Sequence, residues 1–315
     1  MKLLRLSAAR RSCAGGRALT IGGFDGLHLG HQELIRCVRN AAQRLQLPAA
    51  LLSFEPLPRE YLQREQAPAR LTNFRERWRL LQSLGLDEFL VIRFDARLAQ
   101  LSAADFMQLL AAAGARHVTV GHDFRFGHRG AGDVALLAQV GPQLGFAVEI
   151  VAPVLLDGKR VGSRMVREAL ASADLKGAQR MLRRAYSMRG RVRRGAQLGR
   201  TLGFPTANLA MHRRAVPFSG IFAVRVHASA SDVGTQAGEA LDGWPGVASL
   251  GTRPQVHGVE PLLEVHLFRF SGDLYGREIE VEFVARLRDE QRFESLAEMT
   301  AQMQRDADAA RQLLS

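Results

Sequence analysis

Two histidines stand three residues apart in the stretch 20–31, which reads TIGGFDGLHLGH. His28 and His31 follow an apolar, glycine-ended segment and come just before apolar residues with helical spacing. Glycines let backbone N–H groups approach an anion closely, and the first turn of a helix adds unpaired N–H donors and a favourable dipole. The stretch therefore predicts a phosphate-binding site. Two incidental surface histidines are the alternative, because HxGH alone is a weak motif.

Two imidazoles at one helix end suit adenylyl transfer. That reaction needs extra negative charge on the α-phosphate to be stabilised while pyrophosphate leaves, with little covalent work for the protein. A later segment should then hold the β and γ phosphates. The stretch 163–167, SRMVR, opens another helical pattern and suits this role. Taken alone, it is equally a capped helix with exposed arginines.

A second group of candidate residues lies in 195–209, which reads GAQLGRTLGFPTANL. Its glycines and arginine predict a loop that wraps a phosphate and ends in two neutral oxygen ligands for Mg²⁺, Thr206 and Asn208. Glu264 lies on a predicted strand and could accept the proton of a hydroxyl group that attacks a phosphoryl group. The alternative for Glu264 is a solvent-facing side chain on an alternating strand.

The elements that must position the first group alternate between strands and helices. Asn73 and Ser102 are predicted helix caps, and residues 134–144 are a further predicted helix. The predicted strands are 19–22, 49–54, 89–94, 117–121 and 146–151. This order predicts a parallel sheet wrapped by helices, whose ligands bind at the carboxyl ends of the strands. The histidine pair falls at such an end.

From about residue 186 the pattern changes to short alternating strands separated by turns, which predicts a small antiparallel barrel or sandwich. The predicted strands are 187–193, 221–227, 247–250, 262–270 and 278–284. Residues 231–244 are predicted to form an exposed loop, and a closing amphipathic helix is predicted from Ser295 onward.

The composition is that of a soluble globular protein, with 315 residues, 47% hydrophobic and 23% charged. No apolar run approaches the roughly 20 residues that a membrane helix needs, and the N-terminal residues lack the apolar core of a signal peptide. We therefore expect a cytoplasmic protein without a membrane partner. Cys13 and Cys37 have no CxxC spacing, which supports neither a disulfide framework nor a zinc site.

The formal net charge is +12, and much of the excess lies between Lys176 and Arg194, a run without acidic residues. A solvated or phosphate-attracting surface is one interpretation, and an RNA-binding patch is the other. No aromatic residues alternate with the charges as they do in surfaces that stack bases. A nucleic-acid partner is therefore not expected.

Several motifs occur in one order over nearly the whole chain: TIGGFDGLHLGH, FEPLPREY, GHDFRFG, SRMVREAL, GRTLGFPTANL, GIFAV, LGTRP, LEVHLFRFSGDLYG and LRDEQRF. Together they resemble the bacterial bifunctional riboflavin kinase/FAD synthetase family. The resemblance implies an α/β, Rossmann-like nucleotidyltransferase domain in residues 1–184 that adenylylates FMN to FAD with release of pyrophosphate. It implies a flavokinase β-barrel with a C-terminal helix in residues 185–315 that phosphorylates riboflavin to FMN. Both reactions would use ATP and Mg²⁺.

The resemblance also implies roles for individual residues. In the first domain, the residues expected to contact ATP or the flavin are Gly22, Phe24, Asp25, His28, Gly30, His31, Asp123, Phe124, Phe126, Ser163 and Arg167. In the barrel, Thr206 and Asn208 would hold Mg²⁺–ATP, with Glu264 as the base for the ribityl 5′-hydroxyl. The phosphate loop would include Gly199, Arg200, Gly203 and Pro205, and the loop closing over the isoalloxazine would include Arg288, Glu290 and Phe293.

The sequence departs from the family pattern mainly in the first domain. The departures there are Gly23 for an Asn, Leu57 for a His, Gly130 for an Arg, and Gly162 and Arg164 for a Ser and a Thr. In the barrel they are Phe222, Ser249, Gln255 and Arg269. Each change in the first domain removes a polar group expected near ATP or FMN, and one missing donor can cost roughly 3 kcal/mol of barrier. Weakened FAD synthesis is therefore a hypothesis.

Three alternatives remain beside a bifunctional enzyme. The first is a riboflavin kinase with impaired or lost FAD synthetase activity. The second is an adenylyltransferase acting on another acceptor, against which the barrel motifs argue. The third is a non-catalytic flavin- or RNA-binding descendant. The expected partners are small-molecule substrates, and the expected state is a monomer or weak homo-oligomer.

Overall fold

The computed structural model describes residues 1–6, 15–195, 199, 202–228, 240–255 and 258–315. The chain divides into two units. The first comprises Met1–Pro68 and Arg77–Gly162, and the second comprises Ala69–Glu76 and Ser163–Ser315. The assignment of one catalytic domain to residues 1–184 and another to 185–315 stays a prediction.

The first unit is built on a six-stranded parallel sheet in the order β1-β4-β3-β2-β5-β6. Its strands are β1 (Lys2–Leu6), β2 (Arg17–Ile21), β3 (Ala49–Glu55), β4 (Glu88–Arg93), β5 (Ala115–Gly121) and β6 (Ala147–Val151). Its helices are α1 (Leu29–Leu45), α2 (Pro58–Leu62), α3 (Phe74–Ser83, of which Arg77 onward belongs to this unit), α4 (Ala96–Ala99), α5 (Ala103–Ala112) and α6 (Val134–Val140). A short hairpin follows, formed by β7 (Leu155–Leu156) and β8 (Lys159–Arg160). The predicted parallel α/β fold is confirmed.

The strand order reverses at β2. The chain runs from β2 to β3 and β4 on one side, and then crosses to β5 and β6 on the other. In open α/β sheets, ligands bind where the order reverses, outside the carboxyl ends of the two strands that flank this point. Here those ends are Ile21 of β2 and Gly121 of β5, so two of the predicted motifs begin at this point.

The core of the first unit explains why these segments form strands and helices. Leu19, Leu52, Leu90 and Val118, from four neighbouring strands, are buried in one cluster with Phe106 of α5. Strands covered on both faces require such apolar runs. The predicted cap of α5 is present, because Ser102 Oγ accepts a hydrogen bond from the Asp105 N–H at 3.1 Å.

The second unit contains a closed barrel in the order β10-β13-β12-β11-β14-β9, with antiparallel pairing throughout. Its strands are β9 (Ser187–Arg193), β10 (Ala207–Ala210), β11 (Gly220–Ala228), β12 (Leu241–Gln255), β13 (Gly258–Leu267) and β14 (Glu278–Arg288), and its helices are α7 (Ser163–Ala171), α8 (Leu175–Leu182) and α9 (Leu296–Leu314). Phe222, Val224 and Phe283 are buried and fill the core. The outward side of the barrel is covered by α9, whose Ala307 and Ala310 pack against Phe204 and Phe268.

Residues 69–76 belong to the second unit because of specific hydrogen bonds. The Tyr186 hydroxyl donates to the Leu71 carbonyl at 2.9 Å, and Asn73 Nδ2 donates to the Met211 carbonyl at 3.3 Å. The buried carboxylate of Glu76 forms an ion pair with the buried Arg213. The Asn73 side chain also accepts the Glu76 N–H at 2.9 Å, which confirms the predicted cap of α3.

The structure corrects two details of the sequence prediction. Residues 207–209, expected within a phosphate loop, belong to the strand β10, which pairs with both β9 and β13. Of the predicted loop 231–244, the part from Leu241 to Trp244 is the start of β12, where Leu241 is buried and Trp244 pairs with Val226. Residues 231–239 lie outside the described residues. In the ranges described, the structure contains no helix that is both long and apolar enough to cross a membrane.

Candidate active sites

The loop between β2 and α1 stacks three rings. The Phe24 and His31 centroids lie 4.6 Å apart, and the His28 and His31 centroids lie 3.7 Å apart, with interplanar angles of 23° and 25°. His28 is the N-cap of α1, but its side chain does not cap the helix. The first-turn N–H groups of α1 are therefore left to other acceptors, as in helix ends that bind anions. The predicted histidine pair is brought together at a helix N-terminus.

Close packing in this loop depends on glycines. A Cβ on Gly30 would lie 3.2 Å from His28 Cε1, and a Cβ on Gly22 would lie 3.1 Å from the Phe24 ring. Phe24 and Leu27 adopt left-handed backbone conformations, with φ of 49° and 47°. Bulky residues rarely adopt this conformation, and such strain concentrates at functional sites. Asp25, a further predicted site residue, is buried in the same loop.

The pKa of His31 lies well below its ordinary value. Burial of the ring is the largest cause, and the neighbouring charges of His28 and Arg77 add to it. His31 is therefore neutral at neutral pH. A neutral imidazole can form a hydrogen bond to a ligand but brings no positive charge to it.

The loop after β5 holds the next predicted residues. Asp123 accepts a hydrogen bond from Arg160 Nη2 of β8 at 2.7 Å, and this guanidinium is the main cause that lowers the pKa of the Asp123 carboxyl against the opposing effect of burial. Phe124 stacks on Phe126 with centroids 5.6 Å apart. Phe126 itself is buried against Phe106 in the core. Of the predicted residues here, Asp123 and Phe124 are thus the more accessible ones.

Ser163 and Arg167 belong to the second unit. Ser163 begins α7, as predicted, and Arg167 Nε donates to the Ala69 carbonyl at 2.6 Å. Arg164, at a position where the family has a threonine, forms an exposed ion pair with Glu168 at 2.7 Å. The role of Ser163 and Arg167 in binding phosphates stays a prediction.

The barrel brings Asn208 and Glu264 together. Asn208 of β10 pairs directly with Glu264 of β13, and Glu264 pairs on its other side with Ser249 of β12. Side chains directly opposite each other in antiparallel strands project from the same face. The amide of Asn208 is closely packed, since a Cβ on Gly195 would lie 2.6 Å from it.

A cavity of about 260 Å³ lies between the barrel strands and α9, and Glu264 lines it. Six predicted residues line it, namely Gly199, Thr206, Glu264, Arg288, Glu290 and Phe293. Other lining residues were not predicted as site residues, among them Phe204, His266, Met299, Met303 and Asp306. Two signals could have found some of them: His266 is two residues from Glu264 on an alternating strand, and Met299, Met303 and Asp306 follow the spacing of one helix face.

The loop after β14 is fixed at two points. Arg288 makes a two-pronged ion pair with the buried Asp306 of α9, with Nε–Oδ1 and Nη2–Oδ2 distances of 2.9 and 2.7 Å, and it lies 5.8 Å from the Phe293 ring centroid. Glu290 lies against Gly251, where a Cβ would come within 2.0 Å of Glu290 Oε1. The C-terminal helix therefore helps to shape the cavity.

The segment leading into Thr206 is held by two contacts. The Phe204 N–H donates to the Gly199 carbonyl at 2.7 Å, and His266 Nδ1 donates to the Pro205 carbonyl at 2.9 Å. Burial lowers the pKa of His266, and the charge of Arg311 lowers it further against the opposing effect of this hydrogen bond. Gly203 provides a left-handed turn with φ of 80°. Arg200, also predicted here, lies outside the described residues.

The donor set near Glu264 fits Mg²⁺. Glu264 and Thr206 line the cavity, and Asn208 lies beside Glu264 on the same face of the sheet without lining the cavity. Mg²⁺ prefers oxygen ligands and shares its coordination with phosphates and water, so few protein ligands suffice. No cluster of three or more His, Cys, Asp or Glu side chains arranged for a metal ion occurs in the part of the chain that the structure describes.

The three glycines that depart from the family pattern differ in whether their positions could accept a side chain. A Cβ on Gly162 would meet nothing within 4 Å, and one on Gly23 would meet only Leu57 Cδ2 at 3.4 Å. Gly130, in contrast, has φ of 68° and follows Arg129 with φ of 51°. Polar side chains at positions 23 and 162 are therefore sterically tolerable, whereas the backbone conformation at position 130 favours glycine.

Comparison with known families assigns one to each half of the chain. A model of the FAD synthetase family matches residues 10–165, and a model of the riboflavin kinase family matches residues 182–314. Curated proteins named bifunctional riboflavin kinase/FMN adenylyltransferase match at full length. The one from Pseudomonas fluorescens is 44% identical over 95% of this chain and 93% of its own length, the one from Escherichia coli K12 is 41% identical over 99% and 97%, and the one from Haemophilus influenzae is 39% identical over 99% and 98%.

A solved structure matches the whole chain as well. The crystal structure of a protein named as a macrolide-efflux protein from Streptococcus pneumoniae superposes with a TM-score of 0.80 and 28% sequence identity, covering 98% of this chain and 99% of that one.

Proposed function

The chain belongs to the family of bifunctional riboflavin kinase/FMN adenylyltransferases, and on that premise we propose which residues carry each reaction. The enzyme phosphorylates riboflavin to FMN with ATP and adenylylates FMN to FAD with release of pyrophosphate. Both family models and the full-length relatives agree on this flavin chemistry.

The kinase reaction is assigned to the cavity on the barrel. The terminal ribityl hydroxyl attacks the γ-phosphorus of ATP, its proton passes to the Glu264 carboxylate, and ADP leaves. Thr206 and Asn208 would hold Mg²⁺, which neutralises phosphate charge when bound with ATP. The phosphate loop would comprise Gly199, Gly203, Pro205 and also Arg200, and Arg288, Glu290 and Phe293 would bound the flavin. The observation that carries the assignment is that Glu264 lines one cavity with Thr206 and the 288–293 loop.

Adenylyl transfer is assigned to the edge of the parallel sheet. A phosphate oxygen of FMN attacks the α-phosphorus of ATP, and pyrophosphate leaves. His28, neutral His31 and the first-turn N–H groups of α1 would hydrogen-bond to the phosphates as negative charge develops. Asp123 and Phe124 would bound the flavin side. The strained, ring-stacked loop at the point where the strand order reverses supports this assignment.

One refinement of this function concerns the rate of FAD synthesis. Five positions of the first domain lack the polar side chain that the family has there, namely Gly23, Leu57, Gly130, Gly162 and Arg164. Lost polar groups would slow adenylyl transfer more than the kinase reaction, whose predicted residues Thr206, Asn208 and Glu264 are all present. We propose a slow FAD synthetase beside an ordinary riboflavin kinase. Use of Mg²⁺, a monomeric or weakly associating state and a cytoplasmic location are parts of the same proposal.

A single incubation tests the function. Purified protein is mixed with riboflavin, ATP and Mg²⁺, and the flavins are separated over time. FMN should appear first and FAD later. Accumulation of FMN without FAD would identify a kinase with an inactive first unit, and the absence of any flavin product would contradict the enzyme assignment.

A further inference from the structure

Arg77 carries a charge in the interior of the first unit, where only 1% of the residue is exposed. Its Nη1 donates to the Gly23 carbonyl at 2.7 Å, and its Nη2 donates to the Glu55 carboxylate at 2.9 Å. The guanidinium also lies 5.6 Å from the centroid of the Phe89 ring. A buried charge is costly unless it is paired and hydrogen-bonded, so these partners fix where the guanidinium lies.

Both polar partners lie at the ligand-binding edge of the sheet. Gly23 lies two residues after the end of β2, and Glu55 is the last residue of β3, the parallel neighbour of β2. Arg77 therefore ties together the loops that leave two adjacent strands. The first of these loops holds the stacked rings of Phe24, His31 and His28.

The position of Arg77 also has an electrostatic consequence. Its charge is close enough to His31 to contribute to the lowered pKa of that histidine, after burial and His28. Since His31 is then neutral, it brings no positive charge to the phosphates. A guanidinium stays charged at all relevant pH values, and the charge of Arg77 is paired with the Glu55 carboxylate.

We propose that Arg77 is a positioning residue for adenylyl transfer, which fixes the loop of His28 and His31 through the Gly23 carbonyl. The inference rests on the assignment of adenylyl transfer to the first unit. If Arg77 had a purely structural role, the same contacts would be present, but they would not affect the rate of adenylyl transfer once the protein is folded.

Three variants of the full-length protein separate these roles: Arg77→Met, Arg77→Lys and Glu55→Gln. FAD formation from supplied FMN gives kcat and KM for ATP, and phosphorylation of riboflavin by the same sample is the internal reference. Arg77→Met should lower kcat for FAD formation about 100-fold, because small displacements of catalytic groups have effects of this size. Arg77→Lys should recover part of the loss, because it keeps the charge without the two-pronged geometry.

The pKa of His31, measured by NMR, is a second readout, which tests whether Arg77 and Glu55 act on this histidine with opposite signs. It should rise in Arg77→Met, where a positive charge is lost, and fall in Glu55→Gln, where a compensating negative charge is lost. FAD formation by Arg77→Met within about twofold of wild type per folded molecule would overturn the inference. If Arg77→Met does not fold, an unchanged His31 pKa and rate in Glu55→Gln overturn it. A wild-type protein that forms FMN but no FAD would instead refute the assigned function of the first unit, and the inference with it.

Discussion

Asn208 and Glu264 lie directly opposite each other on the antiparallel strands β10 and β13. Cross-strand neighbours of this kind have Cβ atoms roughly 4.5–5.5 Å apart and share one face of the sheet. The side chains of Asn208 and Glu264 therefore share one face of the sheet, and Glu264 lines the cavity under α9. This register, and not the spacing of the two residues in sequence, is what makes a joint role in phosphoryl transfer possible.

Glu264→Gln should lower the rate of riboflavin phosphorylation by about 100-fold or more, because it removes the carboxylate that accepts the hydroxyl proton. FAD formation from supplied FMN should be unaffected. Glu282→Gln is the matched control, since Glu282 lies on the alternating strand β14 and does not line the cavity. Equal kinase rates in Glu264→Gln and Glu282→Gln would exclude Glu264 as the base.

Asp306→Asn should destabilise the second unit by about 2 kcal/mol, because it breaks charge-assisted hydrogen bonds to Arg288 in a mostly buried setting. Urea unfolding measures this change. Asp289→Asn removes the partner of Arg286 in an exposed pair and should cost less than about 1 kcal/mol. Similar destabilisation by both substitutions would show that the Arg288–Asp306 pair has no special role in holding α9.

Gly162→Ser should raise kcat/KM for FAD formation by about fivefold, equivalent to one added hydrogen bond of about 1 kcal/mol. The position accepts the side chain, because a Cβ there would meet nothing within 4 Å. Gly162→Ala is the control that adds the same bulk without the hydroxyl, and it should match wild type. If serine and alanine have the same effect, the glycine at this position does not explain slow FAD synthesis.

The stability of the first unit should depend on pH through His31. Because burial, His28 and Arg77 lower the pKa of His31 in the folded state, the unfolded chain binds a proton at a higher pH, near its ordinary value of about 6.5. The unfolded state therefore binds more protons below this value, and stability falls as the pH drops from about 6.5 to the lowered pKa. His31→Asn should be less sensitive to pH in this window.

The two tryptophans make this measurement specific to one unit. Trp78 belongs to the first unit and Trp244 to the second, so fluorescence in a Trp244→Phe background reports unfolding around Trp78. Unfolding is compared at pH 7.5 and at lower pH with and without His31. The same loss of stability in both proteins would contradict the inferred lowering of the His31 pKa.

Local patterns were sufficient to predict much of the fold. The alternation of apolar strands and capped helices predicted the parallel sheet, and Asn73 and Ser102 cap their helices as expected. Long-range contacts were not predictable in this way. The edge strand β1 is defined by its pairing with β4, and the membership of Leu71 in the second unit depends on the distant Tyr186.

The residues of the candidate sites also divide into those that local patterns predict and those that depend on long-range contacts. Sequence motifs identified the glycines, the histidines and the PTAN segment, because the functional residues of each motif lie within a few positions of one another in the sequence. Asp306 and Arg77 were missed, because on a helix they read as ordinary polar positions. Their importance comes from partners on other elements, namely Arg288 for Asp306 and Gly23 for Arg77.

The central claim is that two separate sites carry the two reactions, and one paired measurement tests it most directly. A double variant, His28→Ala with His31→Ala, and the single variant Glu264→Gln are each given riboflavin with MgATP and, separately, FMN with MgATP. The histidine variant should convert riboflavin to FMN at the wild-type rate and form no FAD, whereas Glu264→Gln should form FAD from FMN but no FMN from riboflavin. Loss of both activities in either folded variant would contradict the account.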